Sequence, residues 1–184
     1  MRIVRVGDAD ADILRRKAEP VVKFDESIAG LSNAMIETLE PANGIGLAAP
    51  QVGHSLAMFV VDVNKCIGAS DTCRLDGRIV KIHSVCPLVA INPKITRRHG
   101  KIVSFEEGCL SLPGARGNVH RHAAVDVEFF DCSGNRHTGT FDGILSRCFQ
   151  HEFDHLKGML YTDRIERRKS TKTPKSRRRK TTAA

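Results

Sequence analysis

Two histidines with a glutamate between them stand in the stretch Gln150-His151-Glu152-Phe153-Asp154-His155. On an α-helix, positions i and i+4 are neighbours, with Cβ atoms roughly 5–6 Å apart, so two imidazoles so spaced can grip one metal ion. Glu152 can then serve as general base toward a water on that ion. A core helix with two hydrogen-bonded histidines would show the same residues, so the flanks must be read with them.

At about 100° per residue the surrounding segment sorts into three sectors. Ile144, Cys148, His151 and His155 share one arc; Leu145, Phe149, Phe153 and Leu156 form a second, wholly apolar one. Ser146, Gln150, Asp154 and Lys157 fill the third, with Arg147 at its edge. Two buried sectors and one polar one describe a central helix over 143–157, packed on most of its girth. Asp142 is placed to cap its start, and Gly158 to end it as the residue just past the helix.

A catalytic metal site commonly takes three protein ligands and leaves a position for water, so a further cysteine or carboxylate is needed. Cys109 is the best-framed candidate: Gly108 lets the backbone come close, and Pro113 sets the exit. Cys148 competes, but three residues before His151 it fits better as a small apolar wall residue.

The elements that must position these groups are short. Ile28, Leu31, Met35 and Leu39 recur at helical spacing after a cap at Asp25 or Ser27, and the helix should end near Pro41. Residues 43–53 are small, apolar and glycine-rich, the composition of a loop whose backbone closely approaches a neighbour or ligand. It lacks the Gly-Lys-Ser/Thr ending of a phosphate loop. Strands are expected at 56–63, 88–91 and 95–103, the last with a tight turn near Gly100, and at 123–130, running into a hairpin turn at 132–135. Residues 64–86 are polar and without clear period, and Cys66, Cys73 and Cys86 within them fit no zinc knuckle, so they read as plain thiols. The resulting fold class is α+β, with antiparallel β-sheets wrapped around the central helix that carries the histidines, plus an N-terminal helix.

With 184 residues, 41% of them hydrophobic and 27% charged, the chain can bury a full core as one globular unit. It has no secretory h-region and no apolar run approaching a membrane span, so a cytoplasmic protein with reduced cysteines is expected. The formal charge of +8 is uneven: residues 164–184 hold ten Lys or Arg against one acid, Glu166, leaving the rest near −1. Residues 1–165 are therefore the expected catalytic domain. Residues 166–184 form a basic tail of disordered composition that could contact ribosomal RNA phosphates or simply stay solvated. Nothing in the pattern specifies an oligomer, and a monomer is expected.

Three stretches, Gly-Ile-Gly-Leu-Ala-Ala-Pro-Gln at 44–51, Glu-Gly-Cys-Leu-Ser at 107–111 and Gln-His-Glu-Phe-Asp-His at 150–155, resemble the signature motifs of the peptide deformylases, in the same order. The arm at 7–21 and Met-Leu-Tyr-Thr-Asp-Arg at 159–164 are similar as well. The resemblance implies removal of the formyl group from the N-formylmethionine of nascent polypeptides. It implies Cys109, His151 and His155 as metal ligands, Glu152 as acid/base, and Gln51 and the backbone N–H of Leu110 as donors to the formyl oxygen. Gly46 would bond the substrate backbone. It implies Fe2+, with Zn2+, Ni2+ or Co2+ able to replace it. Ile45, within the first motif, and Phe105, Ile144 and Cys148, beside the other two, are the expected apolar slot for the methionine side chain. Arg116 and Arg121, which follow the cysteine motif, could hold the peptide or pair with Glu106 or Glu107, and structural pairing is the expectation. Residues 64–86 are longer than the family pattern, and the C-terminal part lacks an amphipathic helix. A peptidase built on the same helix motif is the rival; it would take its last ligand downstream of His155, where Glu166 is the only His or Glu. An RNA-binding protein with an idle site is the other.

Overall fold

Aliphatic and aromatic residues in the middle of the chain build one antiparallel sheet in the computed structural model, which describes residues 1–69 and 71–165. Its strands are β1 (Gly46–Ala48), β2 (Met58–Val61), β3 (Thr72–Leu75), β4 (Arg78–Lys81), β5 (Leu88–Cys109), β6 (Leu112–Phe130) and β7 (Arg136–Asp142). They lie in the order β1-β2-β5-β6-β7-β3-β4, each neighbouring pair antiparallel. Two helices complete the α+β fold, α1 (Glu26–Leu39) and α2 (Gly143–His155). The tail expected at 166–184 lies outside the described residues.

The period of two along β2 explains how both helices find a core. Phe59 and Val61 enter the cluster that holds Leu145, Cys148 and Phe149 of α2, whereas Met58 and Val60 enter the one with Ile28, Met35 and Leu39 of α1. Successive side chains of a strand point to opposite faces, so β2 is buried on both. Phe149 anchors the α2 side, its ring edge-on to Phe59 at 4.8 Å and tilted on Phe141 at 5.6 Å. Asp25 caps α1, accepting from Ser27 N–H at 3.0 Å.

Several expected elements differ. Residues 88–109 are one strand: no turn forms at Gly100, whose φ of 71° sits where the register shifts between His99 and Ile102, so a bulge absorbs the irregularity. Strand β7 carries little alternation beyond Phe141 and is held by its ladder to β6. Residues 64–86 contain the β3–β4 hairpin, turned by Asp76 and Gly77, with φ of 48° and 78°. Such positive angles at both central residues are what an Asp-Gly two-residue turn supplies. Cys73 and Cys86 are buried and Cys66 exposed, and all are free thiols, as expected. The glycine-rich stretch 43–53 is not a plain loop but supplies β1 and a 3-10 turn, Ala49–Val52.

The polar sector expected on α2 is not solvated. Ser146, Gln150 and Asp154 are only 0%, 4% and 2% exposed. They are satisfied internally: Gln150 Nε2 donates to the His122 carbonyl at 2.9 Å, and Asp154 receives Arg121. At the helix start Asp142 holds the cap position but its side chain makes no capping bond. At the end, Gly158, with φ of 69°, presses on the N-terminal arm; a Cβ there would meet the Arg15 carbonyl oxygen at 2.4 Å. Among the described residues no helix is long and apolar enough to cross a membrane.

Two glycine substitutions test these statements. Gly30 lies exposed within α1 with nothing within 4 Å of an added Cβ, so Gly30→Ala should stabilise by about 0.5–1 kcal/mol. Gly158→Ala should destabilise by more than about 1 kcal/mol. Urea midpoints at unchanged m-value measure both.

Candidate active site

Three separate elements deliver the chemistry to one place. Buried α2 carries His151, Glu152 and His155; the β5–β6 turn carries Cys109, Leu110 and Ser111; β1 and the following 3-10 turn carry Gly46 and Gln51. The two imidazoles meet edge-to-face at 5.1 Å between centroids, and His155 Nε2 lies 3.3 Å from Cys109 Sγ. One ligand atom each from Cys109, His151 and His155 falls within 4.8 Å of the others. Two imidazoles and a thiolate are a donor set that binds divalent transition metals, and Glu152 Oε2 is buried beside it without a hydrogen-bond partner among the described residues. These residues fit a metal ion. Cys148, the competing cysteine, is absent from the cluster; burial, with Glu152 nearby, keeps its thiol protonated, and its Sγ donates to the Ile45 carbonyl at 3.3 Å.

The charges around the cluster are arranged to hold it. Glu107 is the residue that sequence reasoning undervalued. Its Oε2 meets His151 Nδ1 at 2.9 Å and Arg121 Nη2 at 2.9 Å, while Oε1 meets Arg121 Nε at 2.7 Å and Arg147 Nη1 at 2.8 Å. Burial opposes its negative charge, but the His151 and Arg121 bonds outweigh burial and hold the carboxyl at about 2. A carboxylate on Nδ1 fixes the ring orientation and leaves Nε2 to face Cys109 and His155. Burial disfavours a proton on His151, yet Cys109 and Glu107 raise its pKa to about 10; a bound cation must displace that proton. Burial, helped by the charges of His151 and Arg121, pushes His155 well below its ordinary value and keeps its ring neutral. Burial also pushes the Glu152 carboxyl up to about 7, against the pull of His151. Arg121 pairs with Glu107 and Arg116 with Glu106, as expected of structural ion pairs.

Gln51 is buried and pinned: Oε1 accepts from Ala48 N–H at 2.8 Å, which aims Nε2 toward Ser111 Oγ at 3.2 Å and Cys109 Sγ at 3.4 Å. Leu110 sits in the turn after Cys109, its side chain against Gly44, where a Cβ would meet Leu110 Cδ1 at 2.8 Å. Gly46 belongs to the terminal strand of the sheet, and a Cβ there would lie 2.3 Å from Glu152 Oε1 and 2.7 Å from Cys148 Sγ. That close approach explains the glycine. Ile45 and Ile144 pack on the cluster that contains Cys148. Phe105 does not join them in an enclosed slot: it is 54% exposed, with the Arg147 guanidinium 5.3 Å above its ring. Tyr161, stacked on His151 at 6.2 Å, and buried Ser111 also belong to the surroundings; their neighbours in sequence give no periodic signal for it.

Comparison with known proteins gives a consistent result. The polypeptide deformylase family model matches residues 1–171. A peptide deformylase of Opitutus terrae is 41% identical over 169 residues, 91% of this chain and 86% of that one. Among solved structures, the peptide deformylase of Thermotoga maritima matches with a TM-score of 0.74 at 37% identity, covering 90% of this chain and 97% of that one. The peptide deformylase of Synechococcus elongatus, solved in complex with actinonin, matches with a TM-score of 0.75 at 37% identity, covering 90% and 79%.

The Gly46 contact leads to a direct test. In Gly46→Ala the new methyl group must push the Glu152 carboxylate and the Cys148 thiol aside, and a misplacement of about 1 Å within a site can cost about 10²-fold in rate. Turnover of a formylated peptide should fall by about ten- to a hundredfold while metal content stays at the level of the unaltered protein.

Proposed function

The chain belongs to the polypeptide deformylase family, and from that premise we propose how its own residues remove the formyl group from the N-terminal formylmethionine of nascent polypeptides. The family is metal-dependent, and the ion is assigned to Cys109 Sγ, His151 Nε2 and His155 Nε2. Fe2+ is the proposed resident, with Zn2+, Ni2+ or Co2+ able to take its place, since a thiolate and two imidazoles accept each of them. A divalent ion bound there supplies a Lewis acid and lowers the pKa of the water it holds from 15.7 to about 7.

Glu152 takes the proton of the attacking water and returns it to the leaving nitrogen as the formyl C–N bond breaks, so formate and a free amino terminus depart. Gln51 Nε2 and the Leu110 N–H donate to the oxyanion that forms on the formyl oxygen; losing one such donor typically costs about 10²–10³ in rate. Gly46 binds the peptide backbone along the outer edge of β1, where an extended chain can add to a sheet. Ile45, Ile144 and Cys148 receive the methionine side chain, with Phe105 at the rim. The observation that carries the reading is the convergence of Cys109, His151 and His155 beside the buried, unpartnered Glu152 Oε2. A monomer is proposed as the working form. The enzyme is placed in the cytoplasm, where its substrate is made, with the basic run after Arg164 contacting ribosomal RNA.

Formate release from formyl-Met-Ala-Ser, set against cleavage of an unblocked peptide, decides between deformylase and peptidase; hydrolysis confined to internal bonds would overturn the proposal. Glu152→Ala should lower turnover by about 10²–10⁴ at unchanged metal-to-protein ratio, whereas loss of metal would make Glu152 a ligand. Deleting residues 169–184 should leave turnover of the short peptide intact and weaken ribosome cosedimentation, most visibly at low salt.

A further inference from the structure

A line of alternating charges runs from the surface to the cluster of Cys109, His151 and His155. Arg164 forks onto both oxygens of Asp154 through Nε and Nη2. Asp154 Oδ2 also receives Arg121 Nη1 at 2.8 Å, and Arg121 spends its remaining fork on Glu107, which holds His151 Nδ1 at 2.9 Å. The outer end is the most exposed: the side chain of Arg164 is 35% exposed, against 3% for Asp154 and Arg121, 6% for Glu107 and 11% for His151. Arg164 is next to the last described residue, Ile165, which bridges to Val119 of β6.

The middle of this line is shared. Arg121 divides its donors between two buried carboxylates, and Arg164 supplies the second cation to one of them. Without Arg164, the buried Asp154 carboxyl would be left with one bond, from Arg121 Nη1. A buried charge left short of partners is strongly unfavourable, and the nearest remedy is for Arg121 to turn further onto Asp154. Each bond it gains there is one lost to Glu107. Glu107 would then orient the His151 ring with fewer constraints, and outer-shell partners of metal-bound histidines typically matter 10–100-fold for metal affinity.

We propose that Arg164 is a positioning residue for the metal ligand His151, acting through Asp154, Arg121 and Glu107. Its role is to neutralise Asp154 so that Arg121 stays on Glu107. The inference rests on the assignment of His151 as a metal ligand.

The test is metal loss into excess chelator from purified Fe2+- or Co2+-loaded full-length protein, with kcat and KM measured in parallel on formyl-Met-Ala-Ser. Arg164→Ala should lose metal at least tenfold faster than the unaltered protein and show a lower kcat at similar KM. Arg164→Lys, which keeps the charge but not the fork, should recover part of both. Adding Asp154→Asn to Arg164→Ala removes the charge that needs neutralising and should slow metal loss again. Arg98→Ala, a cavity neighbour of Arg164 that takes no part in the line, should match the unaltered protein. If Arg164→Ala lowers the melting temperature but leaves metal loss and kcat unchanged, Arg164 is only a structural staple and the proposal fails. If it does not fold, the Lys variant decides: metal loss and kcat equal to the unaltered protein's would overturn the proposal, and intermediate values would sustain it. If the unaltered protein itself holds no metal, the fault lies with the ligand assignment rather than with Arg164.

Discussion

Arg121 is a full positive charge with almost no exposure, and much of the site depends on how it is paired. Its guanidinium meets Glu107 of β5 on one side and Asp154 of α2 on the other, so it ties the strand that ends in Cys109 to the helix that carries both histidines. Such a group is costly to bury, and exchanging a well-paired ion cluster for apolar side chains is often neutral for stability. What the pairing supplies here is geometry. Arg121 and Arg147 saturate Glu107 and give it one orientation, and that orientation gives His151 one ring position.

A charged cluster set against a helix is shielded only where most of that helix is buried, and the sheet makes this possible. Strand β2 serves both cores, with Phe59 and Val61 toward α2 and Met58 and Val60 toward α1, while the long β5–β6 pair reaches past α2 and returns Cys109 to it. The close approach of Gly46 to Glu152 comes from the same packing, since β1 is the strand laid beside the helix at its charged end. Burial that would otherwise only stabilise therefore also sets the protonation of the site. Glu152 is pushed up and His155 down by desolvation, and Glu107 is held down by its cations.

Some misreadings of the strands come from signals that are real but local. Gly100 looks like a turn because glycine permits positive φ, yet a bulge needs the same freedom and leaves the strand unbroken. Asp76-Gly77 is a hairpin signal in plain view; the polar residues around it conceal that the hairpin adds to β7. Ser146, Gln150 and Asp154 are polar and lie on one sector, which predicts exposure. Their burial could not be read there, because the partner that makes it tolerable for Asp154, Arg121, lies on strand β6, distant in the chain.

By itself the sequence determined the helix, its two histidines and glutamate, the apolar sector behind them and the need for an upstream ligand, because helical period and ligand spacing are local properties. It also carried Gly46, Gln51 and Cys109 in recognisable stretches, though not their distances to one another. It favoured Cys109 over Cys148 as well; only the tertiary structure decided that Phe105 faces outward beneath Arg147, and that Asp154 and Glu107 share one arginine. Those choices depend on which residues far apart in the chain come into contact, and long-range packing rather than periodicity determines that.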